Sequence, residues 1–459
     1  MAAPQSSSPV PGHLRLKGAD GAELEAADAT FEPQEDALVV HPRQQAVLRV
    51  DFADVDGFEV GDYVFALKLA SGERIEASML GRRFGELCDA TASALTAFQA
   101  RNLLLQESVG GETFSCDVAR EGVEAAGEVR VYATSVAVIP KGAVPYGLPL
   151  GEMTSVGFDE GRYSVDLTCL NGTVSLLRLG RRTQPCARLI ESRLTELRTR
   201  TAEALAWLVP QLPTLTARRF AQALPDGVPA RKAQLDAISP AIWPALVQAA
   251  IGGPKLKESF EALAQRCSED EVAVGIKETN ARQDVVEEGE GTDPSGAADV
   301  DAALQATPER AGSSDEPRVA TENPMTGRVV WFAFPVLFED RSKPGNAVAI
   351  EAVTRGGRAT YLFRIAPPEI YREASSEELT RLSRERITSV SLALVALGFK
   401  REPLYLPEER IHTGPYARYR LALRLSAALK AARASFVGRA IHGPGWASQI
   451  EAALERARG

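Results

Sequence analysis

The residues able to do chemistry are few. The chain has four histidines (His13, His41, His412, His442), five cysteines (Cys88, Cys116, Cys169, Cys186, Cys267) and two arginine pairs, Arg82-Arg83 and Arg181-Arg182. No histidine sits near a cysteine or carboxylate at metal-ligand spacing. No His-Glu-x-x-His, phosphate-loop or nucleophile-elbow pattern occurs. The cysteines are odd in number and far apart, which argues against a disulfide framework and against a zinc site of the Cys-x-x-Cys kind; buried thiols are expected. "GEGTDPSG" imitates a glycine-rich loop but follows no strand. Asn171-Gly172-Thr173 matches a glycosylation acceptor, yet a hairpin tip already accounts for it. No catalytic, cofactor-binding or metal-ligating residue is assigned, and a non-enzyme is expected.

The arginines are more informative. Each pair stands where a strand hands over to a helix, and positive charge at a helix N-terminus is unfavourable by a few tenths of a kcal/mol. Helix stability therefore does not explain them. Either each pair holds an anionic group from a partner or a lipid headgroup, or the aliphatic stems cover apolar surface while the heads reach water. A second basic feature runs from Pro415 to Arg439, where Arg418, Arg420, Arg424, Lys430, Arg433 and Arg439 appear without an acid. Leu421, Leu425, Ala428, Leu429, Ala432 and Phe436 share one helical face, so the segment predicts one amphipathic basic helix. It either packs on a core or engages an anionic surface, such as the chain's own acidic insert.

The elements that position these residues are legible through a repeat. "GFEVGDYVFALKLASG" (57–72) and "GFDEGRYSVDLTCLNG" (157–172) share six identities in sixteen positions, including Gly57, Phe58, Gly61 and Tyr63 against Gly157, Phe158, Gly161 and Tyr163. Unrelated segments would share roughly one. Tyr63, Phe65, Leu67 and Leu69 alternate with polar or small residues, as do Tyr163, Val165, Leu167 and Cys169, which predicts a half-buried strand in each copy. Ser71-Gly72 and Asn171-Gly172 supply hairpin turns. The period then becomes helical. Phe84, Leu87, Cys88, Thr91, Leu95 and Phe98 form one stripe; Cys186, Leu189, Ile190, Leu194, Leu197 and Thr201 form the other.

Several short antiparallel strands followed by one amphipathic helix, with the phrase "GLPLGEMTSVGF…YSVDL…NGTVSLLRLG", resemble the pleckstrin-homology-like fold, as in bacterial-type tandem proteins with PH- or GRAM-like barrels. The resemblance implies an α+β chain of tandem barrels, each capped by a C-terminal helix, with the first over residues 13–104 and the second over 128–205. A helical subdomain is expected over 206–266, where prolines punctuate short helices. "EVAVGIKETN", "GRVVWFAFPVLFE", "NAVAIEAVTR" and "RATYLFRI", with Gly356-Gly357 at a hairpin tip and a helix from about Ser375 to Leu397, suggest a third strand-helix unit over 270–400. Residues 284–326 interrupt it with a segment poor in large apolar residues and expected to be disordered. A helical region, 401–459, closes the chain, with Trp446 anchoring its last helix.

Charge and composition narrow the function classes. Of the formal net charge of −9, the segment 284–326 supplies the whole, with eleven acids and two bases. The remainder is neutral, so the folded parts carry no strong bias toward nucleic acid. No window approaches the roughly 18 apolar residues of a membrane span, and "MAAPQSSSPVPG" does not read as a leader, so a cytoplasmic location is expected. The expected function is a non-enzymatic scaffold or adaptor binding other proteins through tandem modules. Peripheral attachment to anionic lipid through the arginine pairs and the basic helix is the alternative. A resemblance to tandem modules of histone-chaperone subunits implies a third, the binding of basic proteins.

Overall fold

The computed structural model describes residues 8–105, 107, 110–251, 254–279, 323–337, 344–353 and 359–458. The acidic residues expected to form a disordered insert lie, from Asp284 to Glu322, outside the described residues, as does the Gly356-Gly357 tip. The chain is mixed α+β with three antiparallel sheets. It divides into two compact units: one comprises Met1–Leu148, Ser155–Leu189 and Pro407–Ser426, the other Pro149–Thr154, Ile190–Leu406 and Ala427–Gly459.

The first sheet has the order β4-β3-β2-β1-β7-β6-β5. Its strands are β1 (Val10–Lys17), β2 (Glu23–Pro33), β3 (Ala37–Pro42), β4 (Leu48–Asp51), β5 (Val55–Gly61), β6 (Val64–Leu69) and β7 (Arg74–Ser78). Period-two alternation sends Leu14, Phe31, Leu38, Phe65, Leu67 and Ile75 into one core, and helix α1 (Phe84–Asn102) adds Leu87, Cys88 and Leu95 to it. Three residues bridge β4 and β5 as a 3-10 turn, Phe52–Asp54, with Phe52 fully buried.

The second sheet repeats this order over β8 (Gly110–Arg120), β9 (Val123–Tyr132), β10 (Ser135–Pro140), β11 (Tyr146–Pro149), β12 (Met153–Asp159), β13 (Ser164–Cys169) and β14 (Gly172–Leu177), followed by helix α2 (Thr183–Leu208). It starts at Gly110, earlier than the repeat signature suggested, because β8 buries only Phe114, Cys116 and Val118 among polar neighbours. The corner between β11 and β12 is again a 3-10 turn, Leu150–Glu152, with Leu150 in the place of Phe52. The strand-to-helix passage is copied down to its backbone angles. Met79 and Arg178 have φ of 56° and 57°, Gly81 and Gly180 have 55° and 58°. Leu80 and Leu179 are buried between them.

The signature tyrosines need a correction. They lie in turns, not on the inward strand face: Asp62 and Tyr63 have φ of 48° and 58°, and Gly61 pairs with Val64 across them, a two-residue turn of type I′. Tyr63 is 79% exposed and its ring lies 5.7 Å from that of Phe84, the first residue of α1. Tyr163, with φ of 50°, occupies the matching place, where its carbonyl accepts a 3.5 Å contact from the hydroxyl of Thr183, the first residue of α2. The alternation is genuine from Phe65 and Val165 onward.

The third sheet keeps chain order, β15-β16-β17-β18-β19-β20, without the crossover of the first two, although helices join β15 to β16 and β19 to β20. Its strands are β15 (Ala230–Arg231), β16 (Ala273–Glu278), β17 (Arg328–Leu337), β18 (Pro344–Ala352), β19 (Ala359–Arg364) and β20 (Phe436–Ile441). One face packs on the helices Thr214–Ala223, Ile242–Ala250 and Trp446–Arg458 through Val274, Phe332, Phe334 and Ala349. The other meets helix Ser376–Ala396, where the Trp331 indole N–H donates to Ser391 Oγ at 3.2 Å. Both faces are covered, so its strands read as continuous apolar runs.

The expected single basic helix over 415–439 is overturned. The segment forms a 3-10 stretch (Gly414–Tyr419), helix Arg420–Leu425, helix Ala427–Ser435 and then β20. Ser426 takes an extended backbone (ψ 115°) that breaks the helix. Phe436–Ile441 instead completes the ladder of β19, which offers one hydrogen-bonding edge that a helix cannot satisfy.

Candidate functional site

The two arginine pairs divide by role. The second member of each pair is held at the first strand of its own copy, by the residues just before β1 in one and by β8 itself in the other. Arg83 donates to the carbonyls of Ser8 and Pro9, both at 2.9 Å, and forms a bidentate pair with Glu86 at 2.7 and 2.9 Å. That contact holds the Glu86 carboxyl below its ordinary pKa. Arg182 donates to Thr113 O at 2.9 Å, pairs with Glu112 at 2.8 Å and lies 4.1 Å over the Phe114 ring. Both therefore tie the start of a helix to its sheet. Arg82 and Arg181 are exposed and make no ion pair among the described residues.

Of the other predicted cations, all but Lys430 are also held internally. Arg420 pairs with Asp54, and Arg424 pairs with Asp56. Arg424 Nη2 further donates to Ala53 O at 2.6 Å and Val55 O at 3.1 Å. These four acceptors belong to the corner that links β4 to β5. Arg433 donates to Pro403 O and Leu406 O, both at 2.6 Å. Lys430 remains exposed. Arg439 lies on β20, where it donates to Tyr405 Oη at 2.9 Å. No contact between these cations and the acidic insert can be described, since the insert lies outside the described residues.

Next to the corner lies a groove of about 910 Å³ within the first unit. Its walls are β5 and α1 of the first copy and β8 to β10 of the second, including Phe58, Val60, Ala92, Thr96, Cys116 and Val144. Val60 and Val144 are 50% and 38% exposed. β5 is the outer strand of its sheet; beyond Val55, whose carbonyl Arg424 takes, its second backbone edge has no partner strand among the described residues, and Gly57, Phe58 and Val60 line this space.

Two buried polar clusters escaped the sequence reading. In the first, Glu351 on β18 is fully buried, accepts from Thr360 Oγ1 at 2.6 Å and lies 3.2 Å from His442 Nε2. The Trp446 indole N–H donates to the same Thr360 oxygen at 2.9 Å, which fulfils the anchoring expected of that residue. The Thr360 hydroxyl thus links the buried Glu351 to Trp446 at the start of the last helix. In the second, Asp226 accepts from Lys277 Nζ at 2.6 Å and from the Glu278 amide at 2.7 Å, all in the second unit. Glu152 sits in the same unit with its pKa raised by burial and partly offset by Lys277. Partners 91 or 51 residues apart leave no local signal in a sequence.

Four of the five thiols are chemically quiet. Burial pushes Cys116 and Cys186 up to about 12 and raises Cys88 and Cys267. At these four, thiolate, the reactive form, is therefore scarce at neutral pH. Among the described residues no group of three or more His, Cys, Asp or Glu side chains is arranged to hold a metal ion. No helix among them is long and apolar enough to cross a membrane.

No family model and no curated protein matches the chain. Among solved structures, the C-terminal domain of an unknown protein from Leishmania infantum is similar over 21% of this chain and 92% of that one, at 12% identity and a TM-score of 0.18. A likeness at that TM-score carries no argument about fold or function.

Proposed function

We propose that the chain is a non-enzymatic interaction scaffold in which two pleckstrin-homology-like modules, each sealed by its following helix, take hold of other proteins. The observation that supports the reading best is the groove beside β5: a free strand edge, a helix wall and exposed Val60 and Val144 fit an extended peptide that adds to the sheet. Main-chain hydrogen bonds would give affinity, and apolar pockets selectivity.

Attachment to anionic lipid has less to draw on. Arg83, Arg182, Arg420, Arg424 and Arg433 already serve carboxylates or carbonyls of the chain, which leaves Arg82, Arg181 and Lys430. Surface attraction of about 1 kcal/mol per base makes that a weak anchor. Affinity capture with the unaltered chain and with V60E/V144E tests the two readings together with flotation on anionic vesicles. Loss of specific partners from V60E/V144E is expected. An unchanged partner set, with vesicle binding abolished in R82S/R181S, would transfer the function to the membrane.

A further inference from the structure

The two copies satisfy the same backbone position with an arginine taken from different places. In each, the residue after the 3-10 turn opens the fifth strand of its sheet, Val55 in one and Met153 in the other. Met153 O accepts from Arg198 Nη2 at 3.1 Å. Val55 O accepts from Arg424 Nη2 at the same 3.1 Å. Arg198 belongs to α2, the helix of its own copy, fifteen residues after Thr183. The residue fifteen positions after Phe84 in α1 is Gln99, so the first copy has no arginine of its own there. It receives one from a segment more than 300 residues downstream.

That segment is an excursion. Pro407–Ser426 belongs to the first unit, while the chain on either side of it belongs to the second. Its helical pieces, Glu408–Ile411 and Arg420–Leu425, are four and six residues long. Helices so short are not stable by themselves. The corner in turn offers acceptors that match a guanidinium: Ala53 O and Val55 O together on one nitrogen, with Asp56 on the other, while Asp54 receives Arg420 one turn earlier. Arginines four residues apart lie on one helix face.

We propose that the corner from Ala53 to Asp56 is an arginine-docking site, occupied in cis by Arg420 and Arg424, and that the external partner it fits is a short helix bearing two arginines four residues apart. This goes beyond the groove reading and does not depend on it. The carboxylates are partly exposed, so occupancy in cis is sensitive to salt.

The test uses the full chain carrying R420E/R424E, whose reversed charges repel Asp54 and Asp56 and leave the corner open. A fluorescent synthetic peptide of residues 414–428 should bind this variant about tenfold or more tightly than it binds the unaltered chain, and binding should fall as salt rises. Adding D54N/D56N should abolish it. A peptide with lysine in place of both arginines should bind about tenfold more weakly, since an ammonium cannot span two carbonyls and a carboxylate. Absence of binding to a folded R420E/R424E chain, binding indifferent to D54N/D56N, or equal binding of the lysine peptide would each overturn the proposal. If R420E/R424E does not fold, Q99R decides: it supplies the first copy with the arginine that α2 carries at Arg198. Hydrogen exchange across residues 414–426 should then accelerate as Arg424 is displaced, and unaltered protection would refute the site.

Discussion

Glu271 shows how single side chains set the conditions under which this fold is stable. Its carboxylate accepts two bonds from Arg384, at 2.6 and 2.7 Å, and two longer ones from Arg231, at 3.2 and 3.4 Å. The Arg384 contact, aided by Arg231 and opposed by burial, holds the Glu271 pKa below its ordinary value. For a carboxyl lowered in the folded state, the stabilisation is complete above the unfolded pKa of about 4.3 and is lost as pH falls through the lower folded value. Glu271→Gln should thus lower stability at pH 7 by about 1.5–3 kcal/mol, the usual range for a hydrogen bond to a charged group. Urea unfolding of both proteins from pH 7 downward checks this: the gap should close in acid, and a gap constant with pH would show that the carboxylate's charge is immaterial. Glu152 works in the other direction. Burial raises its pKa, so its contribution is full below the ordinary carboxylate value and is lost as pH rises from there through the higher folded value.

Among the elements, β16 and β17 meet at a place where one strand must lack a side chain. Gly275 pairs with Trp331, and a Cβ on Gly275 would lie 2.1 Å from the indole ring. The ring cannot retreat, because its N–H is bonded to Ser391 and Phe399 packs 4.8 Å away. Gly275→Ala should cost about 1–3 kcal/mol by overpacking, seen as a lower midpoint in thermal unfolding; a neutral outcome would mean that the strand pair yields. Local pattern revealed β16 to β19 of this sheet and both copies of the repeat, because alternation and hairpin glycines are written within a dozen residues; β15, two residues long inside a run of helices, left no such pattern. It did not reveal which face Tyr63 takes, since a left-handed turn and the first strand position have the same spacing. Nor did it show that Phe436–Ile441 is a strand, because Leu421, Leu425, Ala428 and Leu429 fit a helical stripe and the pairing with β19 lies more than 70 residues away. The arginine corner was half legible. Arg420 and Arg424 stood out as cations without acids nearby, but Asp54 and Asp56 are reached only through the fold.

For the whole molecule, the division into two units places all four tryptophans, Trp207, Trp243, Trp331 and Trp446, in the second. Tryptophan fluorescence therefore reports the second unit alone, while amide exchange in β5 and α1 reports the first. The segment Pro407–Ser426 counts with the first unit and buries Ile411, Tyr419, Leu421 and Ala422. Replacing it by a glycine-serine linker of equal length removes these apolar groups along with Arg420 and Arg424. Deleting a single large buried side chain costs about 2–5 kcal/mol, so the first unit should lose at least that much. β5 and α1 should exchange faster, while the urea midpoint followed by tryptophan fluorescence stays where it is. Compact units with separate cores unfold in separate transitions unless the surface they share is large and apolar. A fluorescence midpoint that falls in step with the exchange of β5 would show that the chain unfolds as one cooperative body, and that the excursion of residues 407–426 stabilises both units alike.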